Sequence, residues 1–164
     1  MTRDDLFSLI QRFSQGPLPA LDKRHVYVWH GEPEVLHDAI PAAVLVEINL
    51  HQLAATIDRA PRAQDEAMRL LRAALERLLK SNRRADRQQV FFISGCDLLS
   101  RYRVPAKSLY ELASEQHMII LAVSPAETRF QPSSHLPDYV SLNTSATLDY
   151  LRSLIGEAAT VTAA

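Results

Sequence analysis

The side chains best suited to catalysis are one cysteine, six histidines and the acidic residues that follow apolar runs. The histidines are His25, His30, His37, His51, His117 and His135. A cysteine beside a histidine supplies a nucleophile and its base, and Cys96 follows the apolar run 90–93. No spacing pairs Cys96 with a histidine, and a lone cysteine after a buried strand is more often a small core residue. An acid and base pair of Asp97 and Asp149 has no supporting motif. We therefore favour a structural Cys96 and keep a Cys96 hydrolase as an alternative.

Metal binding is the second chemistry to weigh, because two histidines and two glutamates surround one predicted turn. The histidines are His30 and His37, and the glutamates are Glu32 and Glu34. Neither pair has a recognised ligand spacing such as His-Glu-x-x-His. We favour a solvated turn, and the sequence predicts neither a metal nor another cofactor.

A repeated strand-then-helix order must position these side chains. The predicted strands are 25–30, 42–48, 90–93, 118–123 and 139–142. The predicted helices are 3–14, 34–40, 50–57, 63–80, 105–116 and 146–155, and residues 158–164 are predicted to form a flexible tail. Strand segments that are apolar on both faces are typical of parallel strands covered on two sides. We therefore expect one α/β domain over residues 1–157, an open, doubly wound, mainly parallel five-stranded sheet flanked by helices, with helix 3–14 as a cap.

Ligands of such a sheet bind at the carboxyl ends of its strands. After the first strand, a phosphate-binding loop needs Gly-x-x-x-x-Gly-Lys-Ser/Thr, but residues 29–34 read Trp-His-Gly-Glu-Pro-Glu. Gly31 is the one glycine there, no lysine follows, and Glu32 opposes phosphate by its charge. After the third strand, the magnesium-binding carboxylate is replaced by Ser94. Asp97 comes three residues later, where a carboxylate is more often a helix N-cap. These four residues predict a degenerate nucleotide site.

The order of segments along the chain carries a resemblance to a known family. The segments are 25–29, 44–53, 90–99, 105–113, 118–123 and 136–139. Together they resemble the BrxF family, the small P-loop proteins of BREX-type bacteriophage defence systems, over residues 24–142. The resemblance implies a RecA-like P-loop fold, in which the first strand lies between the fourth strand and the last.

The departures from that family bear on function. BrxF proteins carry an intact Walker A motif, which residues 30–36 here lack, and the Walker B aspartate of the family falls on Ser94. The nearby acidic residue of the family falls on Asp97. The resemblance therefore implies a non-hydrolysing relative that acts as an accessory subunit with other proteins as partners. A decayed RecA-like or AAA-type fold outside the family, or an unrecognised NTPase, stays an alternative.

A basic stretch along the longest predicted helix and beyond it is the candidate contact for nucleic acid. Its members are Arg69, Arg72, Arg77, Lys80, Arg83, Arg84 and Arg87. Lysine and arginine contacts to phosphates give a sequence-independent, salt-sensitive affinity for DNA. Acidic residues dilute the stretch and no aromatic residues interleave it, so we favour a solvated helix face. A nucleic-acid-binding module with weak DNA contact is the alternative.

Composition limits the remaining classes of function. The chain has 164 residues, 47% of them apolar and 23% charged, with a net charge of -1, so no global charge attracts nucleic acid or anionic lipid. No apolar run reaches the roughly 20 residues that span a bilayer. One cysteine and a polar amino terminus predict a cytoplasmic protein without membrane contact. Trp29, Phe130 and Leu136 lie at strand ends or in a long loop, where exposed apolar groups would favour a protein partner.

Overall fold

The computed structural model describes residues 1–20, 24–125 and 144–162. Within these ranges the chain forms a sheet of five strands with seven α-helices. The strands are β1 Val26–His30, β2 Leu45–Asn49, β3 Gln89–Ser94, β4 His117–Val123 and β5 Thr160–Thr162. The helices are α1 Arg3–Gln15, α2 Pro33–His37, α3 Leu50–Ala55, α4 Gln64–Asn82, α5 Asp97–Arg101, α6 Lys107–Leu112 and α7 Thr144–Ile155. Among the helices of these ranges, none has the length and apolar character needed to cross a membrane.

All strands of the sheet are parallel, in the order β2-β3-β4-β1-β5. The α/β prediction of an open parallel sheet flanked by helices is thereby confirmed. β1 lies between β4 and β5, which is the strand position expected of a P-loop-like sheet. In the register of β1, His30 lies beside Val123 on one side and beside Thr162 on the other.

The two faces of the sheet are covered by different helices because side chains of a strand alternate between faces. Val26 and Val28 of β1 join one core with helices α3 to α7, whereas Tyr27 and Trp29 join a second core with α1 and α2. β3 and β4 alternate in the same way and are buried along nearly their whole length. Both faces of the central strands are therefore buried, as their continuous apolar runs predict.

The longest helices form where the sequence gives them a cap or an apolar stripe. Thr2 accepts a hydrogen bond from the backbone of Asp5, and the Asp5 side chain accepts one from the backbone of Thr2, which makes a capping box at the start of α1. The buried side chains of α4 are Ala67, Leu71, Leu75 and Leu79, which recur every four residues. That spacing puts them on one face of a helix, so the prediction of a long amphipathic helix is confirmed.

The carboxyl-terminal segment differs from its prediction. Residues 157–159 form a short 3₁₀ turn, and Thr160–Thr162 pair with β1 as the edge strand β5, with Val161 fully buried. The prediction of a tail from residue 158 was therefore wrong for the part that the structure describes. A three-residue strand has little local signal, because most of its stability comes from the neighbouring strand. The strand predicted at 139–142 lies outside the described residues.

Two further elements differ from their predictions. β2 was expected to be a buried strand, but it is the other edge of the sheet, and Glu47 is exposed while Leu45 and Val46 are half-buried. The helix expected at 105–116 is shorter, because α6 ends at Leu112 and a turn precedes β4. α5 follows β3 almost directly and was not predicted. Its five residues are too few for a helical period to be visible in the sequence.

Candidate functional site

Parallel strands bring their carboxyl ends to one side of the sheet, which we call the carboxyl edge. It comprises residues 30–32, 49–51, 94–97 and 123–125. The opposite side, the amino edge, comprises the residues that precede the strands, 24–25, 83–89 and 113–117. The predicted degenerate nucleotide site falls on the carboxyl edge. The end of the predicted basic stretch falls on the amino edge.

The connection between β1 and α2 is only two residues long, Gly31 and Glu32. The backbone N–H of Gly31 donates to the carbonyl of Val123 at 3.2 Å, and the Trp29 indole donates to the carbonyl of Glu32 at 3.1 Å. α2 then begins at Pro33, which has no backbone N–H. A phosphate cradle needs several consecutive N–H groups that point toward the ligand. The connection between β1 and α2 offers no such series of N–H groups, and the side chain of Glu32 is exposed there.

The turn after β3 approaches the turn after β2 so closely that it requires glycine. Gly95 has φ of +74°, in the left-handed region, and a Cβ atom built on it would lie 2.8 Å from Cδ2 of His51. Ser94 ends β3, and its hydroxyl lies 3.5 Å from the carbonyl oxygen of Ile48 on β2. The two turns therefore meet at Gly95.

This approach forms a contact between a histidine and a carboxylate that the sequence does not reveal. Nε2 of His51 lies 2.8 Å from Oδ1 of Asp97, and the two side chains are 36% and 19% exposed. The prediction of Asp97 as an N-cap was wrong, because Asp97 is the first residue of α5 and Cys96 precedes it as the cap residue without a side-chain bond. His51 is itself positioned by Asn49, whose side chain accepts from the backbone of His51 at 2.9 Å.

His51 and Asp97 follow the neighbouring parallel strands β2 and β3. Their proximity therefore depends on the order of the strands and cannot be read from their spacing in the sequence. A carboxylate that holds one ring nitrogen of a histidine fixes the tautomer and the orientation of the ring, as in acid–base dyads. Cys96 is too buried to serve as the nucleophile of such a dyad: its thiol donates to the carbonyl of Ile93 at 3.3 Å, and burial raises the pKa of the thiol far above its usual range. The interpretation of Cys96 as a core residue is confirmed.

His30 occupies the end of β1 on the α7 side of the sheet. Its Nδ1 atom and Nε of Arg152 on α7 are both buried from solvent, and neither has a hydrogen-bond partner among the described residues. Burial, and next the positive charge of Arg152, lower the pKa of His30. The carboxyl edge therefore holds one unpaired nitrogen atom, Nδ1 of His30.

Two other histidines have structural environments. His25 contacts the Tyr27 hydroxyl at 2.7 Å, and burial raises the pKa of Tyr27 to about 12. His117 contacts the hydroxyl of Ser114 at 2.7 Å and the carbonyl of Arg84 at 2.9 Å. Burial lowers the pKa of both histidines. His135 lies outside the described residues.

The residues weighed as a metal site do not converge. His37 on α2 lies 2.6 Å from the carboxylate of Glu47, with its ring against that of Phe92, whereas His30 lies near Arg152. In the described ranges, no three histidine, cysteine or acidic side chains gather as metal ligands would.

The three apolar groups proposed for partner contact are not exposed together. Trp29 is fully buried in the core beneath α1 and α2, with its ring centroid 5.9 Å from that of Phe7. The expectation that Trp29 could lie open at the strand end was wrong, because its side chain points into the sheet face that α1 covers. Phe130 and Leu136 lie outside the described residues.

The basic stretch is largely solvent-exposed. Arg69, Arg77, Lys80, Arg83, Arg84 and Arg87 are exposed, and Arg72 is half-buried. Arg72 lies 3.9 Å from Glu76 and Arg87 lies 3.6 Å from Asp86, so two members are partly neutralised. The guanidinium of Arg84 donates to the carbonyl of Ser81 at 3.0 Å. Arg83, Arg84 and Arg87 share one turn at the amino edge.

Comparison with known proteins assigns no family to this chain. No protein-family model matches it, and no curated protein matches it. The resemblance to BrxF proteins therefore stays a proposal.

Proposed function

We propose that this chain is a non-catalytic accessory subunit of a multi-protein bacterial assembly, built on a P-loop-like sheet that has lost its nucleotide site. BREX-type phage defence is the setting that the resemblance to BrxF proteins implies. The observation that carries the proposal is the two-residue connection between β1 and α2. It leaves no length of chain in which a phosphate loop could form.

The backbone of that connection supports the same proposal. The N–H of Gly31 is already bonded to β4, and Pro33 has no N–H to offer. Glu32 adds a negative charge where a triphosphate would lie, and like charges repel at short range. Phosphate binding at this turn would need a different backbone.

The end of β3 supports the proposal from the magnesium side. Ser94 stands at the strand end where a Walker B carboxylate would be, and a hydroxyl is a far weaker ligand for magnesium than a carboxylate. Asp97, the nearest carboxylate after β3, is engaged with His51. The position of β1 between β4 and β5 supports a P-loop-like ancestry for the sheet.

Thermal unfolding with magnesium-ATP tests the loss of the nucleotide site. A ligand at 100 times its dissociation constant stabilises a native protein by about 2.7 kcal/mol, which raises the melting temperature by several degrees. We expect millimolar magnesium-ATP to give no rise beyond that of magnesium with the same concentration of inorganic phosphate. A larger rise with ATP would show an unrecognised nucleotide site and favour the NTPase alternative.

The accessory role needs a test of association. We expect the purified chain to bind another subunit of its assembly, and deletion of its gene to weaken phage restriction. The proposal is wrong if the chain associates with no component of the system and its deletion leaves restriction unchanged.

A nucleic-acid-binding module is the second candidate, because three exposed arginines share the turn after α4. Reversal of Arg83, Arg84 and Arg87 to glutamate should abolish a DNA shift that weakens as salt rises. The matched control reverses two exposed arginines of α1, Arg3 and Arg12, and should leave the shift intact. A DNA shift that survives the triple reversal would contradict this candidate.

A further inference from the structure

We propose that His117 holds the turn after α4 against the sheet while its ring is neutral, and releases that turn when the ring takes up a second proton. The turn comprises residues 83–87, all of them exposed, and we call it the basic turn. It carries Arg83, Arg84 and Arg87, so the contact controls how these three arginines are presented. The inference goes beyond the proposed function and holds whether or not the basic turn binds nucleic acid.

Two buried side chains bond to the backbone of Arg84, the second residue of the basic turn. Its N–H donates to Oε1 of Gln89 at 2.7 Å, and its carbonyl oxygen lies 2.9 Å from Nε2 of His117. Gln89 and His117 are 5% and 1% exposed, and they are register partners in the neighbouring strands β3 and β4. The sheet itself therefore holds a turn whose residues are all exposed.

The same contacts determine which nitrogen of the His117 ring carries the proton. Nε2 faces a carbonyl oxygen, which can only accept, so Nε2 must be the donor. Nδ1 lies 2.7 Å from the hydroxyl of Ser114, which accepts from the backbone N–H of Gln116 at 3.1 Å and can give its own hydrogen to Nδ1. The neutral ring, with its proton on Nε2, thus has a partner at both nitrogen atoms.

A second proton would disturb this arrangement. It would be added at Nδ1, where the hydroxyl of Ser114 would have to reverse and accept. The charged ring would also lose the hydration that it has in water. Burial accordingly lowers the pKa of His117, the hydrogen bond to the Arg84 carbonyl raises it by less, and the positive charge of Arg83 lowers it further. The ring therefore takes up the proton more readily in water than when the basic turn is bonded to it.

The positive groups around the ring do not compensate a second charge. Arg83 of the basic turn repels it, and the guanidinium of Arg84 donates to backbone carbonyls at the end of α4. Arg24, in the segment before β1, donates to three carbonyls near the end of α6. β3 faces the ring with the uncharged side chain of Phe91, whose ring centroid lies 6.4 Å from that of His117.

The acidic groups on these elements are exposed. Asp86 of the basic turn and Glu111 of α6 each contact a neighbouring cation, at 3.6 and 3.8 Å. Glu115, in the turn before β4, is exposed as well. Water screens the attraction between exposed carboxylates and a charge inside the fold. The described residues therefore place no carboxylate against the ring of His117.

The balance of these groups favours release of the basic turn at low pH. The pKa of His117 is lowered in the folded state, whereas a histidine in water has a pKa of about 6.5. The contact with the basic turn is therefore at full strength above about pH 6.5 and weakens as the pH falls toward the folded-state value. The basic turn opens more easily than a helix or strand, because its exposed residues bury no apolar side chains.

Amide hydrogen exchange of the whole chain, labelled with ¹⁵N, tests the release. Each rate is measured at pH 7.5 and at pH 5.0 and is divided by the rate of an unstructured peptide at the same pH. We expect the protection of the Arg84 amide to fall by about tenfold between the two pH values, because the exposed ring binds the proton more tightly. An unchanged protection of Arg84 would overturn the proposal.

Small additions of urea at pH 5.0 separate release of the turn from unfolding of the chain. The amide of Leu75, in the buried face of α4, should exchange faster as urea is added, because its exchange exposes much surface. The exchange of Arg84 should not change, because the basic turn is already exposed. An equal dependence on urea at Arg84 and Leu75 would contradict a local release.

The ring of His117 gives a second readout in the unsubstituted chain. The ¹⁵N shifts of the ring should show a proton on Nε2 at pH 7.5, and the ring should take up its second proton below about pH 6.5. A proton on Nδ1 at pH 7.5, or uptake of the second proton at or above pH 6.5, would contradict the proposal. This measurement does not depend on whether a variant folds.

His117→Gln assigns the effect to the ring. The glutamine amide can donate to the carbonyl of Arg84 but takes up no proton, so the fall in Arg84 protection should shrink to less than about twofold. His37→Gln is the matched control, since it removes a half-buried histidine of α2 and should leave the tenfold fall intact. An equal fall in the two variants would overturn the proposal.

Discussion

The amino edge and the carboxyl edge of the sheet satisfy their polar groups in different ways. At the amino edge, the amide of Gln88 donates to the carbonyls of Phe13, Gly16 and Glu115 at 2.9 to 3.0 Å. Beside it, Gln89 bonds to the backbone of Arg84 and Asn82 at 2.7 and 2.8 Å. Side chains there connect the ends of helices and strands. Such bonding is typical of a part of a fold that is built for stability, although Oε1 of Gln88 is itself buried without a hydrogen-bond partner among the described residues.

At the carboxyl edge, the polar side chains have different partners and exposure. His51 and Asp97 contact each other in a partly exposed position, and Nδ1 of His30 is buried without a hydrogen-bond partner among the described residues. Gly95, in the left-handed region, lies in the turn after β3 and close to the turn after β2. The two edges therefore differ in that glutamine side chains connect helix and strand ends at the amino edge, whereas a histidine and a carboxylate meet in a partly exposed position at the carboxyl edge.

The largest effect should come from Gly95→Ala at the carboxyl edge. The new Cβ atom would meet His51 at 2.8 Å with φ at +74°, so we expect the free energy of unfolding to fall by about 2–4 kcal/mol. The same change at Gly16, which has no atom within 4 Å of the new Cβ, should alter it by less than about 1 kcal/mol. Urea unfolding of both variants measures the difference. Equal losses would mean that His51 does not approach Gly95 as closely as described.

Gln88→Glu should have the next largest effect, at the amino edge. A carboxylate would face the three carbonyl oxygens that the Gln88 amide now contacts, and we expect a loss of about 1–3 kcal/mol in the free energy of unfolding. Gln15→Glu changes an exposed glutamine of α1 and serves as the control. A loss no greater than that of the control would remove the argument that this edge is built for stability.

The pH dependence of stability tests the histidines of both edges, of which His25 and His117 are buried and His30 is partly buried. The pKa values of His25, His30 and His117 are lowered in the folded state, so the unfolded chain binds more protons below about pH 6.5. Their contribution is fully present above that pH and is lost as the pH falls toward the folded-state values. We expect lower stability at pH 5.5 than at pH 7.5 in urea unfolding. His117→Gln should reduce this difference, and an unchanged difference would contradict its assigned environment.

The smallest effect should come from Asp97→Asn at the carboxyl edge. The contact with His51 is partly exposed, and even a fully charged pair in such a position contributes about 1 kcal/mol or less. We expect a change in the free energy of unfolding below that of Gln88→Glu, with Asp86→Asn in the exposed turn after α4 as the control. A loss larger than that of Gln88→Glu would reverse the contrast between the two edges.

The fold was largely predictable because its signals are local. The apolar run of β3 and the four-residue period of Leu71, Leu75 and Leu79 in α4 report burial directly. β5 was missed because its three residues depend on pairing with β1. Trp29 was misplaced because an aromatic residue near a strand end gives no sign of which face the neighbouring helix covers.

The candidate site was only half predictable. The absence of a phosphate loop was visible in residues 29–34, since glycine, lysine and proline have fixed consequences for a backbone. The pairing of His51 with Asp97 was not visible, because it joins residues 46 positions apart through the adjacency of β2 and β3. Long-range juxtapositions of this kind follow from topology, which spacing alone does not give.

Fluorescence of the tryptophan reports on nucleotide binding at the end of β1, because Trp29 is the only tryptophan in the chain and lies two residues before the connection between β1 and α2. Magnesium-ATP is titrated with excitation of the indole, and magnesium with inorganic phosphate is the parallel titration. We expect no saturable change in the fluorescence of Trp29 with magnesium-ATP beyond that seen with magnesium and phosphate. A saturable change specific to magnesium-ATP would contradict it and show that the end of β1 still binds nucleotide.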